Sequence, residues 1–186
     1  MRAGGGQAKG SSFERNICLA LSLWLRDGAR TDLFVRKVLS GGRYTIALAR
    51  NEDHGTPGDL MAGHPMAFAF ASKVLVECKA YKDLGWDSFF YSFDKSFLGR
   101  TIKLCEDQGN ASHLSFMVIA KQNRRESIAI MPKELGDKVL AAVWNKVSLR
   151  THTFHSGKYT AIPFLDIVTL VRPKVFLKAL QHDPNS

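Results

Sequence analysis

The stretch Val74-Leu75-Val76-Glu77-Cys78-Lys79-Ala80-Tyr81 decides how the fold is read. Its aliphatic residues predict a strand, and the two-residue period of a strand divides it into two faces. Val74, Val76, Cys78 and Ala80 take one face, and Leu75, Glu77, Lys79 and Tyr81 take the other. An acid and a lysine on so apolar a strand are costly to bury unless they are paired or used. The i, i+2 spacing sets Glu77 and Lys79 side by side. Carboxylate oxygens suit a hard cation such as Mg²⁺, and a neighbouring ammonium can stabilise charge on a phosphate or help deprotonate a water. Two readings stay open for this pair: half of a metal site, or an ion pair within the sheet.

Working outward, Asp59 opens a short predicted strand, Asp59 to Ala62, from which its carboxylate could complete a metal site with Glu77. Further upstream, Phe13, Ile17, Leu21 and Trp24 recur at helical spacing, predicting a helix from Ser11 or Ser12 that stops near Gly28. Glu14 falls in its first turn. It either points back toward the other acids or closes a capping box with Ser11. Leu33–Val38 and Tyr44–Ala49 read as strands around a Ser40-Gly41-Gly42 turn, and residues 50–58 read as a loop. Downstream, Gly85–Gln108 predicts a long Phe-rich helix closed by Gly109. Strands follow at Leu114–Ala120 and Ser127–Met131, a helix at Lys133–Lys146, a strand at Phe164–Val171 and a terminal helix at Pro173–Leu180. The order αβββαβ, with additions, predicts an α/β fold whose central mixed β-sheet is flanked by helices. Residues 1–10 read as a flexible N-terminal tail and 11–186 as one domain, with a core over about 11–131 and a C-terminal addition over 132–186.

The composition suits that assignment. A chain of 186 residues with 45% hydrophobic and 23% charged side chains needs no disulfide or metal merely to fold. Lys and Arg number 26 against 17 Asp and Glu, a net charge of +9 that makes an anionic partner the first expectation. Cys18, Cys78 and Cys105 are dispersed and odd in number, against a disulfide framework or a Cys-rich zinc site and in favour of a reducing compartment. The apolar run Ile17–Leu25 has a charged residue on either side, Arg15 before it and Arg26 after it, the wrong flanks for a signal peptide. A cytoplasmic protein without signal peptide or membrane span is expected.

Four segments occur in a telling order: KGSSFER at 9–15, VRKVLSGGR at 35–43, GDL at 58–60 and VLVECKAYK at 74–82. Together they resemble the PD-(D/E)XK nuclease superfamily, and within it the archaeal and phage Holliday-junction resolvases and related phage endonucleases. The resemblance covers a little under half the chain and implies a restriction-endonuclease-like core. It implies Asp59 and Glu77 as metal ligands, Glu14 as a further ligand acting directly or through water, and Lys79 as the catalytic lysine. The cofactor would be Mg²⁺, with Mn²⁺ able to substitute. The chemistry would be hydrolysis of DNA phosphodiesters by in-line attack of water, in a prokaryotic or phage-infected cell. A four-way or branched junction is the expected substrate and a homodimer the expected form, since a nearly symmetric junction suits a two-fold enzyme. A repair or restriction-type nuclease cutting linear duplex, and an inactive DNA-binding module of the same fold, are the alternatives. One departure stands out: Gly58 replaces the proline of the superfamily's name.

Arg36, Ser40, Arg43, Lys82 and Lys121 are the expected DNA contacts, joined by the basic pair Arg124 and Arg125. Phe89, Phe90, Phe93 and Phe97 sit at helical spacings and read as core or dimer interface ahead of a base-stacking platform. His152 and His155 are spaced to opposite faces of a strand, which discounts them as a metal pair. Gly4–Ser11 lacks the Gly-Lys-Ser order of a phosphate loop.

Overall fold

The apolar repeat of Phe13, Ile17, Leu21 and Trp24 becomes the buried stripe of helix α1 (Gly5–Leu25). The structure, a computed structural model, describes residues 5–37, 57–144 and 148–181. Helix α1 begins ahead of Ser11 and Ser12, so both serines are interior positions and residues 5–10 extend the helix instead of forming a tail. Once a helix is nucleated each added residue gains a hydrogen bond, which lets even this Gly-containing segment follow. Strands β1 (Phe34–Arg36) and β2 (Leu60–Ala62) pair antiparallel with Val35 opposite Met61. The expected strand at Tyr44–Ala49 lies outside the described residues.

After a short helix α2 (Phe68–Ala71), the chain enters β3 (Val74–Tyr81), whose bounds are those predicted. A crossover through α3 (Trp86–Tyr91) and α4 (Phe97–Ser112) returns it to β4 (Ser115–Gln122), which runs parallel to β3 with Glu77 opposite Val118 and Lys79 opposite Ala120. A parallel pair requires a crossover of this kind. Strand β5 (Ser127–Pro132), helix α5 (Lys133–Ala141), strands β6 (His152–Phe154) and β7 (Tyr159–Pro163), and helices α6 (Phe164–Leu170) and α7 (Pro173–Gln181) complete the order. The sheet is five-stranded, β3-β4-β5-β7-β6, and antiparallel from β4 onward. The expected α/β class with a mixed central sheet between helices is present, and its α1-β1-β2-β3-α-β4 beginning is compatible with a restriction-endonuclease-like core.

The two faces of β3 enter different cores, as the alternation requires. Val74, Val76 and Cys78 join α1, α5, α6 and α7 on one side, where the Trp24 Nε1 donates to the Val171 carbonyl at 2.8 Å. Leu75 joins Leu98, Ile102 and Cys105 of α4 on the other.

The single long helix expected over Gly85–Gln108 is broken. Ser96 caps a second helix, its Oγ accepting from the Gly99 amide at 2.9 Å, and a 3₁₀ turn, Phe93–Lys95, separates α3 from α4. Gly109 is not the stop, since α4 runs to Ser112 and closes on His113 at φ 54°. The helix expected over Lys133–Lys146 ends at Ala141. Phe164–Val171, expected as a strand, begins helix α6: Phe164, Ile167 and Val171 are buried at i, i+3 and i+7. A short, almost wholly apolar run carries no period of its own, and here Pro163 ends β7 and starts the helix. The β6–β7 hairpin was not read from the sequence. It turns through His155, Ser156 and Gly157 at φ 52°, 57° and 82°.

Candidate functional site

Strand β3 is an edge strand of the five-stranded sheet, and Asp59 attaches to that edge. Its amide donates to the Val76 carbonyl at 2.8 Å, and its Oδ2 accepts from the Cys78 amide at 2.8 Å. Asp59 thus brackets Glu77 from both sides of the backbone. Its own carbonyl accepts from the Lys37 amide at 2.8 Å, tying the end of β1 to the same point. The residue is 3% exposed, so the carboxylate is held by backbone groups with little freedom to lose.

The preceding residue explains the missing proline. Gly58 has φ 95°, and a Cβ there would stand 2.8 Å from the Val76 carbonyl oxygen. Proline, locked near φ −65°, cannot adopt that backbone.

Glu77 and Lys79 project from one face of β3 and form an ion pair, with side chains only 13% and 22% exposed. Burial and then the nearby Asp59 carboxylate push the Glu77 carboxyl up to about 7, partly opposed by Lys79. For Lys79, burial disfavours the charge, but Glu77 and Asp59 outweigh it and hold the ammonium above its ordinary range. Glu14 approaches from α1. Its Oε2 accepts from the Arg36 Nε at 2.9 Å, and its charge is felt by Glu77. The capping box with Ser11 is therefore absent: Glu14 lies inside the helix and its carboxylate is committed to Arg36.

All three cysteines are buried, and the carboxylates of the pocket act on each of them. Cys18, one turn after Glu14, is raised to about 11 by burial and by Glu14. Burial, then neighbouring carboxylates, push Cys78 and Cys105 up as well, so none is a thiolate nucleophile at neutral pH.

The structure thus gathers Glu14, Asp59, Glu77 and Lys79, which the sequence separates by up to 65 residues, Glu14 to Lys79. Arg36 belongs to the same pocket as the partner of Glu14. Lys82 and Lys121 are exposed at the C-terminal ends of β3 and β4. Ser40 and Arg43 lie outside the described residues. Phe89 is buried, Phe93 half-buried in the 3₁₀ turn, and Phe90 and Phe97 exposed, so the Phe series is split by the helix break. His152 is on β6, whereas His155 stacks on Phe93 at 4.3 Å. Missing from the sequence reading were the Cys78 amide that fixes Asp59 and the Gly58 conformation. The Gly-Asp dipeptide was the available sign of the latter.

Among the described residues no three His, Cys, Asp or Glu side chains converge as a ready ligand set. Each acid of the pocket is turned to a protein partner: Asp59 to an amide, Glu77 to Lys79, Glu14 to Arg36. The donor chemistry still fits a hard divalent cation. These are carboxylate oxygens, and three acids share the pocket with the two cations Lys79 and Arg36.

The profile of a family described as phage putative PDDEXK endonuclease matches residues 5–177, nearly the whole chain. No curated protein and no solved structure matches it. Among the described residues no helix is long and apolar enough to cross a membrane.

Proposed function

The chain belongs to the phage putative PDDEXK endonuclease family, a family of nucleases, and on that premise we propose that it is a Mg²⁺-dependent endodeoxyribonuclease selective for branched DNA. The observation that carries the reading is Asp59, bonded to the backbone on both sides of Glu77, with Lys79 and Glu14 closing the same pocket. In this reading Asp59, Glu77 and Glu14 hold the metal, directly or through water. Mn²⁺ could replace Mg²⁺, since both accept hard oxygen donors. A bound divalent ion supplies a Lewis acid for the phosphate and lowers the pKa of an attacking water.

The protein's own groups do the rest. Asp59 presents an oxygen whose position is already fixed, so little ordering is left to the moment of reaction. Lys79, held protonated, acts by its charge: it stabilises the pentavalent phosphorus and orients the attacking water by hydrogen bonding, while serving poorly as a base. Arg36 holds Glu14 in place and Lys82 and Lys121 offer charge to phosphates, with Ser40 and Arg43 as further contacts. A two-fold dimer would set two such pockets on the opposed strands of a four-way junction.

A cleavage panel tests this: four-way, flap, single-stranded and linear duplex DNA with Mg²⁺. Paired symmetric nicks in the junction are expected, and Glu77→Ala or Lys79→Ala should abolish them while DNA is still bound. Equal cutting of plain duplex would favour a linear-duplex nuclease, and wild-type cutting by either variant would remove the site assignment.

A further inference from the structure

The face of the sheet that carries Glu77 and Lys79 also carries a groove of about 710 Å³ between α3, the β4–β5 turn and β6. Trp86 and Phe90 of α3 form one wall, with ring centroids 6.3 Å apart and planes inclined by only 27°. Phe90 is 58% exposed, although the buried Phe89 beside it is packed against Phe154 at 5.2 Å. Arg124 and Arg125 in the turn and His152 on β6 form the rest of the rim. Among the described residues neither arginine has a carboxylate partner. Glu126, the acid of this groove, is taken by Arg150 through two hydrogen bonds of 3.0 and 3.1 Å. Open ring faces therefore stand beside unbalanced guanidinium charge.

That combination suits an unpaired nucleotide. Its base can stack on an aromatic face, and its phosphate can pair with arginine. Duplex DNA offers the phosphate but hides the base faces, and a purely apolar protein partner would leave the arginines unmatched. Position supports the same occupant. Strand β3 runs from Glu77 and Lys79 to Tyr81, which pairs with Gln122 at the end of β4 that leads into the β4–β5 turn. Exposed Lys82 and Lys121 stand at that end of the sheet, and α3 follows directly. Resting on the reading of the protein as a DNA nuclease, we propose that this groove binds unpaired nucleotides of the substrate, so that flaps, gaps and opened branch points are held beside the cleavage pocket.

Binding measured without divalent metal tests the groove separately from cleavage. Fluorescence anisotropy would follow a labelled 16-residue oligothymidine and a blunt duplex of equal length. Phe90→Ala should weaken oligothymidine binding about five- to a hundredfold and leave the blunt duplex unchanged, since stacking acts only on free bases. Arg124→Asn combined with Arg125→Ala should lower the slope of log K against log salt by about 1.4, or 0.7 per contact. Asparagine is chosen because Arg124 sits at φ 61°, which Asn tolerates. Wild-type protein that fails to bind oligothymidine, or Phe90→Ala protein that binds it undiminished, would overturn the proposal. So would a wild-type dimer that becomes monomeric on Phe90→Ala with its oligothymidine affinity intact, which would make the groove a protein interface. A wild-type protein that binds oligothymidine but cuts no DNA would instead overturn the nuclease reading and spare the groove.

Discussion

Burial, and after it the nearby Asp59 carboxylate, raise the Glu77 carboxyl from an ordinary value to about 7, with Lys79 opposing them. Below the ordinary carboxyl range this residue costs the folded state little, and stability is lost as pH rises through about 7. Glu77→Gln keeps an acceptor for Lys79 and removes the charge. It should therefore flatten the fall in melting temperature that the metal-free wild type shows between pH 5 and pH 8, and it should abolish cleavage. A variant that loses melting temperature as steeply as the wild type over that range would show that Glu77 is not the titrating group. Gly58 gives a second prediction at this scale. Gly58→Pro restores the superfamily's signature residue yet should cost at least about 1–3 kcal/mol in urea denaturation, because φ 95° and the Val76 carbonyl both exclude it. Glu77 and Lys79 were legible from a strand's two-residue period and Asp59 from its place at the start of a predicted strand, both local signals. Glu14 was ambiguous because the choice between Ser11 and Arg36 as its partner depends on a strand 22 residues away.

Helix α4 shows why element boundaries were less legible than element types. The Phe-rich run reads as one helix, but Ser96 both caps α4 through Gly99 and donates to the Phe93 carbonyl at 2.8 Å. Gly99 is required there, since a Cβ would lie 1.9 Å from that same carbonyl oxygen. Ser96→Ala should therefore destabilise the protein by about 1 kcal/mol, read as a lower urea midpoint with unchanged slope. An unaltered midpoint would show that the 3₁₀ turn is held by other contacts. Strand β3 is the opposite case. Its bounds agree because both faces are buried, and a slip of one residue would exchange its two cores.

Across the whole molecule, a net charge of +9 surrounds a pocket in which acids outnumber their cationic partners. If the positive excess positions DNA, Lys82→Ala combined with Lys121→Ala should weaken binding to any duplex alike. It should also reduce the slope of log K against log salt by about 1.8, with the melting temperature unchanged, since both side chains are exposed. A preserved slope would remove them from the interface. The sequence by itself determined the fold class, the two faces of β3 and the acid–lysine pair, because strand and helix periods act within a few residues. It also predicted a charge that calls for an anionic partner. Tertiary structure alone decided that Asp59 locks onto the Cys78 amide, that Glu14 belongs to Arg36, and that Phe89 and Phe90 part company, one buried and one facing Arg124 and Arg125 across a groove. Each of these depends on which distant segments become neighbours, and burial of the whole chain settles that where no local spacing can.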